Sequence, residues 1–455
     1  MQKNNKHIMI IEKTISEFLS AEYKEFAMYV IEGRAIPSII DGLKPSQRKV
    51  IHIANQTWKT GNEKSLKVFQ LCGKVSAECY YHHGDASMNA TIINMAQKFK
   101  NNAPLLEEEG QFGSLRSPQA AASRYPSTKL SENFRFIYKD FDLLDYKEEE
   151  GESIEPRFFL PIIPTILING SSGIAVGFAS NILNRDVKSV IESCFKVLEG
   201  KEPGEIKPHL NGFKGDYIQD IENPKRWIIR GKFEKVNTTT IRVTELPPSM
   251  TYEKYEDILD KLIDDKNIVT YDDKCKDNVD YTIKFIRSEL DKLNDEKLIK
   301  LLKLEESSTE IFSTLDEYGK LKIFESTSEI IKYFVNFRLL FYQKRKEFLL
   351  IKMNKDLKIL SNRGRFIKAI LDGKIKVNNV SKSDIIIKIE SMGLDKIDDS
   401  YDYLLRMPIY SLTKEIFEKL KEDFTSKKDE IKKMEATLPK DMYLEDLTEL
   451  KKKFK

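Results

Sequence analysis

Long hydrophobic runs are missing from this sequence. The most apolar stretch, Phe158 to Ile168, is interrupted by Pro161 and Pro164 and falls short of the roughly 20 residues that a membrane-spanning helix needs. No membrane partner is expected, and the first residues lack both the apolar length and the small-residue cleavage site of a signal peptide. Cysteine is scarce: Cys72, Cys79, Cys194 and Cys275 are scattered, without a Cys-x-x-Cys pair or a histidine at zinc spacing. That pattern suits reduced thiols in a cytosol and indicates neither a disulfide framework nor a zinc centre. A one-sided charge is missing as well, because 75 Lys and Arg against 72 Asp and Glu leave a net charge of +3. Composition therefore carries no histone-like signature, and any nucleic-acid site has to come from local charge.

What is present is a chain of 455 residues, longer than one ordinary core, so about two to four packed units are expected. Residues 12–33 set Ile15, Phe18, Leu19, Phe26, Val30 and Ile31 at helical spacing, an amphipathic lead-in that stops before Ala35. Asp41-Gly42-Leu43-Lys44-Pro45 is turn chemistry, a helix is expected from Ser46 to Trp58, and Asp85 is placed to cap another running through Gln97. From Pro156 the texture turns to β-type runs punctuated by Gly and Pro, with strands expected at Ile166 to Ile168, Ile228 to Ile229 and Thr238 to Val243. After Ser328, the residues Ile330, Phe334, Phe337, Phe341, Phe348 and Ile351 follow the spacing of a coiled-coil seam, in a helix expected to end near Asn362-Arg363-Gly364. Phe417, Leu420, Phe424, Ile431, Met434 and Leu438 repeat that spacing and predict an antiparallel return, with Ile367 to Met407 as a small globular cap. The expected class is α+β and multidomain.

The sharpest local feature is Ala120-Ala121-Ala122-Ser123-Arg124-Tyr125, preceded by Gly110-Gln111-Phe112-Gly113-Ser114, small residues that let another backbone approach closely. A phenol ionises only at about pH 10, and a neighbouring guanidinium favours the phenolate while gripping phosphate. Such a pair suits phosphoryl transfer, although a tyrosine beside an arginine is, on its own, most often structural. Arg34, Lys44, Gln47, Arg48 and Lys49 put five side chains able to contact phosphate within sixteen positions; the bland alternative is a solvated basic turn. Tyr81-His82-His83-Gly84-Asp85 sets two of the five histidines at a helix start, where backbone N–H groups and the helix dipole attract phosphate. No third ligand stands at zinc spacing beside them. Gly170-Ser171-Ser172-Gly173-Ile174-Ala175-Val176-Gly177 lacks the Lys-Ser/Thr ending of a nucleotide loop, so ATP is not expected to bind this chain. Glu107 to Glu109 and Glu148 to Glu150 read as solvated runs, and no metal site is expected here.

In this order the motifs resemble the breakage-reunion subunit of the type IIA DNA topoisomerases, the family of gyrase A, topoisomerase IV A and the C-terminal half of the eukaryotic enzyme. The likeness covers most of the chain. It rests on Arg34-Ala35-Ile36-Pro37 with Asp41-Gly42-Leu43-Lys44-Pro45 and Arg48, on Tyr81-His82-His83-Gly84-Asp85, on Met95-Ala96-Gln97, and on the Gly110, Ala120 and Gly170 runs. The resemblance implies that Tyr125 is the nucleophile, joined to the cut strand as a 5′-phosphotyrosine, with Arg124 stabilising charge at phosphorus. It implies that Arg34, Lys44, Gln47, Arg48, Lys49, His82 and His83 hold DNA phosphates and that Ile174 wedges between base pairs to bend the duplex. The implied fold is a helical lead-in over 1–33, a winged-helix (helix-turn-helix) DNA-binding domain over 34–155 and a β-containing tower domain over 156–327. A long antiparallel coiled coil over 328–455 follows, with a C-terminal dimer gate at about 366–410. The implied partners are double-stranded DNA, a second copy of the chain, and a large subunit that holds Mg²⁺ and ATP and without which the chain is inactive.

Some positions depart from the bacterial pattern. Gln47 stands where bacterial members usually carry His, and Tyr81-His82-His83 replaces their His-Pro-His. Ala86 and Ala90 occupy positions where quinolone-sensitive members carry a hydroxyl and an acid, so a weak quinolone response is expected. The run from Ile154 to Pro164 looks eukaryotic or phage-like, and the chain is most similar to the branch found in T-even-type phages, which implies the cytoplasm of an infected bacterium. No room is left after the returning helix for the DNA-wrapping domain of gyrase, so supercoiling by wrapping is not expected. Two rival readings stand beside this one. A helix-turn-helix binding module with a structural Tyr125 would retain DNA without covalent capture. A tyrosine recombinase would need an Arg-His-Arg constellation and a tyrosine near the C-terminus, which are not arranged that way here.

Overall fold

The computed structural model describes residues 13–276 and 278–454. The start of the expected lead-in, residues 1–12, and with it the signal-peptide reading, lies outside the described residues. The chain forms two compact units, one made of residues up to 336 together with 447–455, the other of Phe337–Asp446.

In the first unit the chain is helical from Ile15 to Ala35, with α-helical stretches (Ile15–Phe18, Lys24–Val30) alternating with π-helical ones (Leu19–Tyr23, Ile31–Ala35). Thr14 starts it with a capping box: its hydroxyl accepts the Glu17 N–H at 3.2 Å, and its own N–H donates to the Glu17 carboxylate at 2.9 Å. The helix runs slightly further than the sequence suggests because Ile31, Ala35 and Ile36 pack with Leu315 in a small buried cluster. Three further helices, Pro45–Thr57, Val68–Glu78 and Asp85–Ala96, bury Val50, Ile51, Leu71, Val75, Met88 and Ile92. Gly84, at φ 82°, precedes the third, and Asp85 lies inside its first turn. The expected Asp85 cap is thus corrected: only glycine tolerates that backbone conformation easily, and the carboxylate acts on the helix dipole from within.

Every strand ladder among the described residues is antiparallel, which makes the class α+β rather than α/β. Ser127–Leu130 is the centre of a three-stranded sheet between Leu66–Lys67 and Leu106–Glu109, with Ser127 opposite both Lys67 and Glu109. A hairpin joins Ser171–Ile174 to Ala179–Ile182. Further along, Thr240–Glu245 and Tyr281–Lys284 are the inner strands of a four-stranded sheet, and Ile241, Val243, Tyr281 and Ile283 pack on Tyr255 and Leu259 of the helix Tyr252–Asp264. The strand expected at Ile166 to Ile168 is instead a short helix, Thr165–Asn169, in which Thr165 through Ile168 are buried. A short apolar run enclosed on every side shows no period, and its β-branched residues read equally as strand.

The second unit contains most of the 45-residue helix Thr327–Leu371 and all of its partner Lys414–Ala436. The two run antiparallel: Lys346 donates to the carbonyls of Glu435 and Thr437, whereas Arg363 shares a groove with Ile416 and Leu420. The first helix does not stop at Gly364, because Phe366, Ile367 and Ala369 are buried beyond it. Ile351 is 71% and Leu438 59% exposed, so these two are not part of a seam buried within the protomer. Phe366, Ala369, Ile375, Ile389, Leu394, Tyr401 and Leu404 form the cluster of the globular region between the helices.

Candidate functional site

Tyr125 is 62% exposed and sits on a loop whose backbone is held from below. Its N–H donates to the Ala122 carbonyl at 2.9 Å, closing a turn, and Pro126 follows it. Val68 and Phe69, in the first turn of the Val68–Glu78 helix, donate their N–H groups to the carbonyls of Pro126 (3.1 Å) and Ser123 (3.2 Å). Helix N-termini have such unused donors, and here they fasten the tyrosine loop. Lys67, just before that helix, donates from Nζ to the Tyr125 carbonyl at 2.6 Å. The Arg124 guanidinium lies over the Tyr125 ring, 4.9 Å from its centroid. The phenol is thus open to solvent, with the Arg124 guanidinium over its ring and the Lys67 ammonium on the backbone that carries it.

The other candidate residues divide into outward and inward groups. Arg34 is exposed at the end of the first helical run. Lys44 donates from Nζ to the Ser172 carbonyl at 2.6 Å, joining the turn to the hairpin, and burial lowers its pKa. His82 and His83 are exposed. His82 Nε2 lies 3.9 Å from a Glu149 oxygen, while His83 Nε2 shares a 3.0 Å hydrogen bond with the Tyr29 hydroxyl and its ring meets Tyr81 edge-on at 5.4 Å. Ile174 is 87% exposed in the 171–182 hairpin. Its neighbour Gly173 is pressed against the chain: a Cβ there would come within 2.1 Å of the Ala35 carbonyl oxygen.

Gln47, Arg48 and Lys49 also have partners within the fold. Gln47 accepts the Lys44 N–H at 2.9 Å and so caps its own helix. Arg48 is 5% exposed and lies on the buried carboxylate of Asp41. Although burial opposes its charge, Asp41 and Glu155 hold its pKa above the ordinary arginine value. Lys49 donates to the Cys79 carbonyl at 2.6 Å and to Glu155 at 2.9 Å. In this protomer Arg48 and Lys49 thus both have carboxylate partners inside the fold, Asp41 and Glu155. Among the described residues, none of Arg34, Lys44, Gln47, Arg48, Lys49, His82, His83 and Ile174 hydrogen-bonds to the Arg124–Tyr125 loop. Lys67 and Tyr29 were missed by sequence reasoning, and so was the close approach of Gly173 to the Ala35 carbonyl. Lys67 is 58 positions from Tyr125, and nothing local marks it.

A family model for the A chain of DNA gyrase and topoisomerase IV matches residues 34–451. The chain belongs to this family. Among individual relatives, the DNA topoisomerase medium subunit of Enterobacteria phage T4 is 33% identical over 457 residues, covering 99% of this chain and 100% of that protein. The mitochondrial DNA topoisomerase 2 of Dictyostelium discoideum is 34% identical over 460 residues, which is 97% of this chain and 35% of that protein. The chain therefore spans about a third of the eukaryotic relatives it matches. A crystal structure of the Plasmodium falciparum topoisomerase II DNA-binding, cleavage and re-ligation domain superposes with a TM-score of 0.84 at 32% identity, covering 93% of this chain and 62% of that one. The family expected from the motifs is the family found.

Proposed function

We propose that this chain is the DNA-cleaving and religating subunit of a type IIA topoisomerase, with Tyr125 as nucleophile. The observation that carries this reading is the exposed Tyr125 phenol beside the Arg124 guanidinium on a loop braced by a helix N-terminus. The Tyr125 oxygen attacks a backbone phosphorus and loses its proton to solvent. The bond from phosphorus to the 3′ oxygen breaks, that oxygen takes up a proton, and the 5′ end remains on the tyrosine. The phosphodiester energy is retained in the new ester, so the 3′ hydroxyl reseals the strand by the reverse step. Catalysis of this kind rests on positioning and on charge stabilisation, which the braced loop and Arg124 supply.

The groups beside Tyr125 are cations, and no cluster of three His, Cys, Asp or Glu able to hold a metal occurs among the described residues. These residues do not fit Mg²⁺. Mg²⁺ and ATP are assigned to a large partner subunit. Residues 34–155 are read as the winged-helix domain, 156–327 as the tower and 328–455 as the coiled coil, with a dimer gate at about 366–410. Arg34, Lys44, His82 and His83 are read as DNA-phosphate contacts and Ile174 as the bending wedge. Full-length similarity to a phage subunit supports a role in phage DNA replication in the host cytoplasm.

The test is covalent capture. End-labelled duplex is incubated with Mg²⁺, this chain and its large subunit, then denatured in detergent. Label is expected to travel with the wild-type chain and not with Tyr125→Phe; DNA binding by both forms without capture by either, in the presence of an active partner, would leave only the binding-module reading.

A further inference from the structure

We infer that Lys67 is a positioning residue for strand cleavage, acting through the backbone carbonyl of Tyr125 rather than through DNA. The inference rests on the reading of Tyr125 as nucleophile.

The geometry is specific. Lys67 pairs with Ser127 across the Leu66–Lys67 and Ser127–Leu130 strands, so its backbone is fixed two residues beyond Tyr125 on the opposite strand. From there its ammonium reaches back to the Tyr125 carbonyl at 2.6 Å. A hydrogen bond from a charged donor is about twice as strong as a neutral one. Each of the other anchors holds a neighbour: Val68 takes Pro126, Phe69 takes Ser123, and the Ala122 carbonyl takes only the N–H side of Tyr125. Lys67 is thus the side chain that fixes the carbonyl side of the nucleophile's own residue. Pro126 restricts the Tyr125 backbone further, because the proline ring disfavours helical conformations in the residue before it.

Phosphoryl transfer requires the attacking oxygen in line with the leaving oxygen, and displacement of a reacting group by about 1 Å can cost on the order of 100-fold in rate. A tyrosine has two side-chain torsions between backbone and oxygen, so rotation of its peptide unit is carried to the phenol. The Lys67 clamp limits that rotation. Its ammonium is held on that carbonyl, so its loss is expected to be read in the chemistry, and a change in DNA affinity distinguishes a phosphate contact made by its remaining N–H groups.

The test uses the complete complex with its large subunit. Wild type, Lys67→Met and Lys67→Arg are compared in single-turnover covalent capture at saturating DNA, and DNA affinity is measured across a salt series. Lys67→Met is expected to slow capture by about 10- to 100-fold with unchanged DNA affinity and salt slope. Lys67→Arg, which can also donate to the carbonyl, is expected to restore most of the rate. Thermal unfolding of Lys67→Met at the wild-type midpoint separates the effect from misfolding; should that variant unfold, the Arg variant is read alone, and capture at under a tenth of the wild-type rate from a folded protein overturns the inference. The inference is also overturned if capture by Lys67→Met is unchanged. It fails too if the loss disappears at saturating DNA while the salt slope becomes shallower by about 0.9, the signature of one lost phosphate contact. Capture that survives Tyr125→Phe removes the nucleophile reading itself, whereas normal Tyr125-dependent capture in Lys67→Met removes only the role of Lys67.

Discussion

Arg48 lies across Asp41 in a bidentate ion pair, Nε to Oδ2 at 2.7 Å and Nη2 to Oδ1 at 3.0 Å, with the carboxylate closed to solvent. The N–H groups of Leu43 and Phe159 each donate to the same carboxylate at 3.1 Å, and Arg48 also donates to the Leu43 carbonyl. The pair joins the 41–43 turn, the Pro45–Thr57 helix and the chain at Phe159. Removing one member of a buried pair leaves the other charge uncompensated, at a cost of about 3–5 kcal/mol. Arg48→Met is therefore expected to lower the thermal midpoint sharply and to weaken DNA binding only in proportion to unfolding. Normal stability with weaker DNA binding would return Arg48 to the phosphate contacts.

The hairpin bearing Ile174 should separate stability from DNA bending. Ile174 is 87% exposed, and substitutions at such surface positions usually change stability by about 0.5 kcal/mol or less. Ile174→Ala is expected to fold as wild type but to bend the duplex less, because an inserted apolar side chain unstacks base steps. Fluorescence transfer between dyes at the duplex ends reads the bend directly, and an unchanged end-to-end distance would count against the wedge. Gly173→Ala should behave differently: its Cβ would meet the Ala35 carbonyl at 2.1 Å and Lys44 Nζ at 3.1 Å. Forced overpacking costs about 1–3 kcal/mol, so a lower unfolding midpoint is expected there.

These contrasts mark what the sequence could and could not disclose. The Arg34 to Lys49 segment was readable as a motif, but the direction of each cation was not. Arg48 turns inward because Asp41 is buried seven residues before it, while Arg34 stays in water. The amphipathic Pro45–Thr57 helix was legible from its spacing. The Thr165–Asn169 helix was not, since an element buried on all sides shows no period. Gly364 looked like a helix end, yet the buried Phe366 and Ile367 beyond it carry the helix to Leu371. Tyr125 and Arg124 were found together because they are adjacent; Lys67 was not, because only strand pairing brings it near.

Arg34 offers a test of the proposed DNA contacts. It is exposed, in contrast to Arg48 and Lys49. Each phosphate neutralised on duplex DNA contributes about −0.9 to the slope of log affinity against log salt. Arg34→Ala is expected to weaken binding similarly across duplex sequences and to make the slope shallower by about that amount. An unchanged slope in a salt titration would remove Arg34 from the contact surface.

Glu155 predicts the acid limit of the first unit. Burial alone would raise its pKa, but Lys147 at 3.2 Å and Lys49 at 2.9 Å outweigh burial and hold it below the ordinary value of 4.5. The folded state thus binds its proton less readily than the unfolded chain does. The ionised form stabilises the fold above about pH 4.5, and that contribution is lost as pH falls from there through the lower folded value. Glu155→Gln keeps the shape but leaves Lys49 and Lys147 without this carboxylate, so it should be less stable than wild type at pH 7. The deficit should shrink as the pH is lowered below 4.5, because wild type then loses the same charge. Urea unfolding of both proteins from pH 7 to pH 3 measures this, and a stability gap that stays constant over the whole range would show that the Glu155 charge does not stabilise the fold.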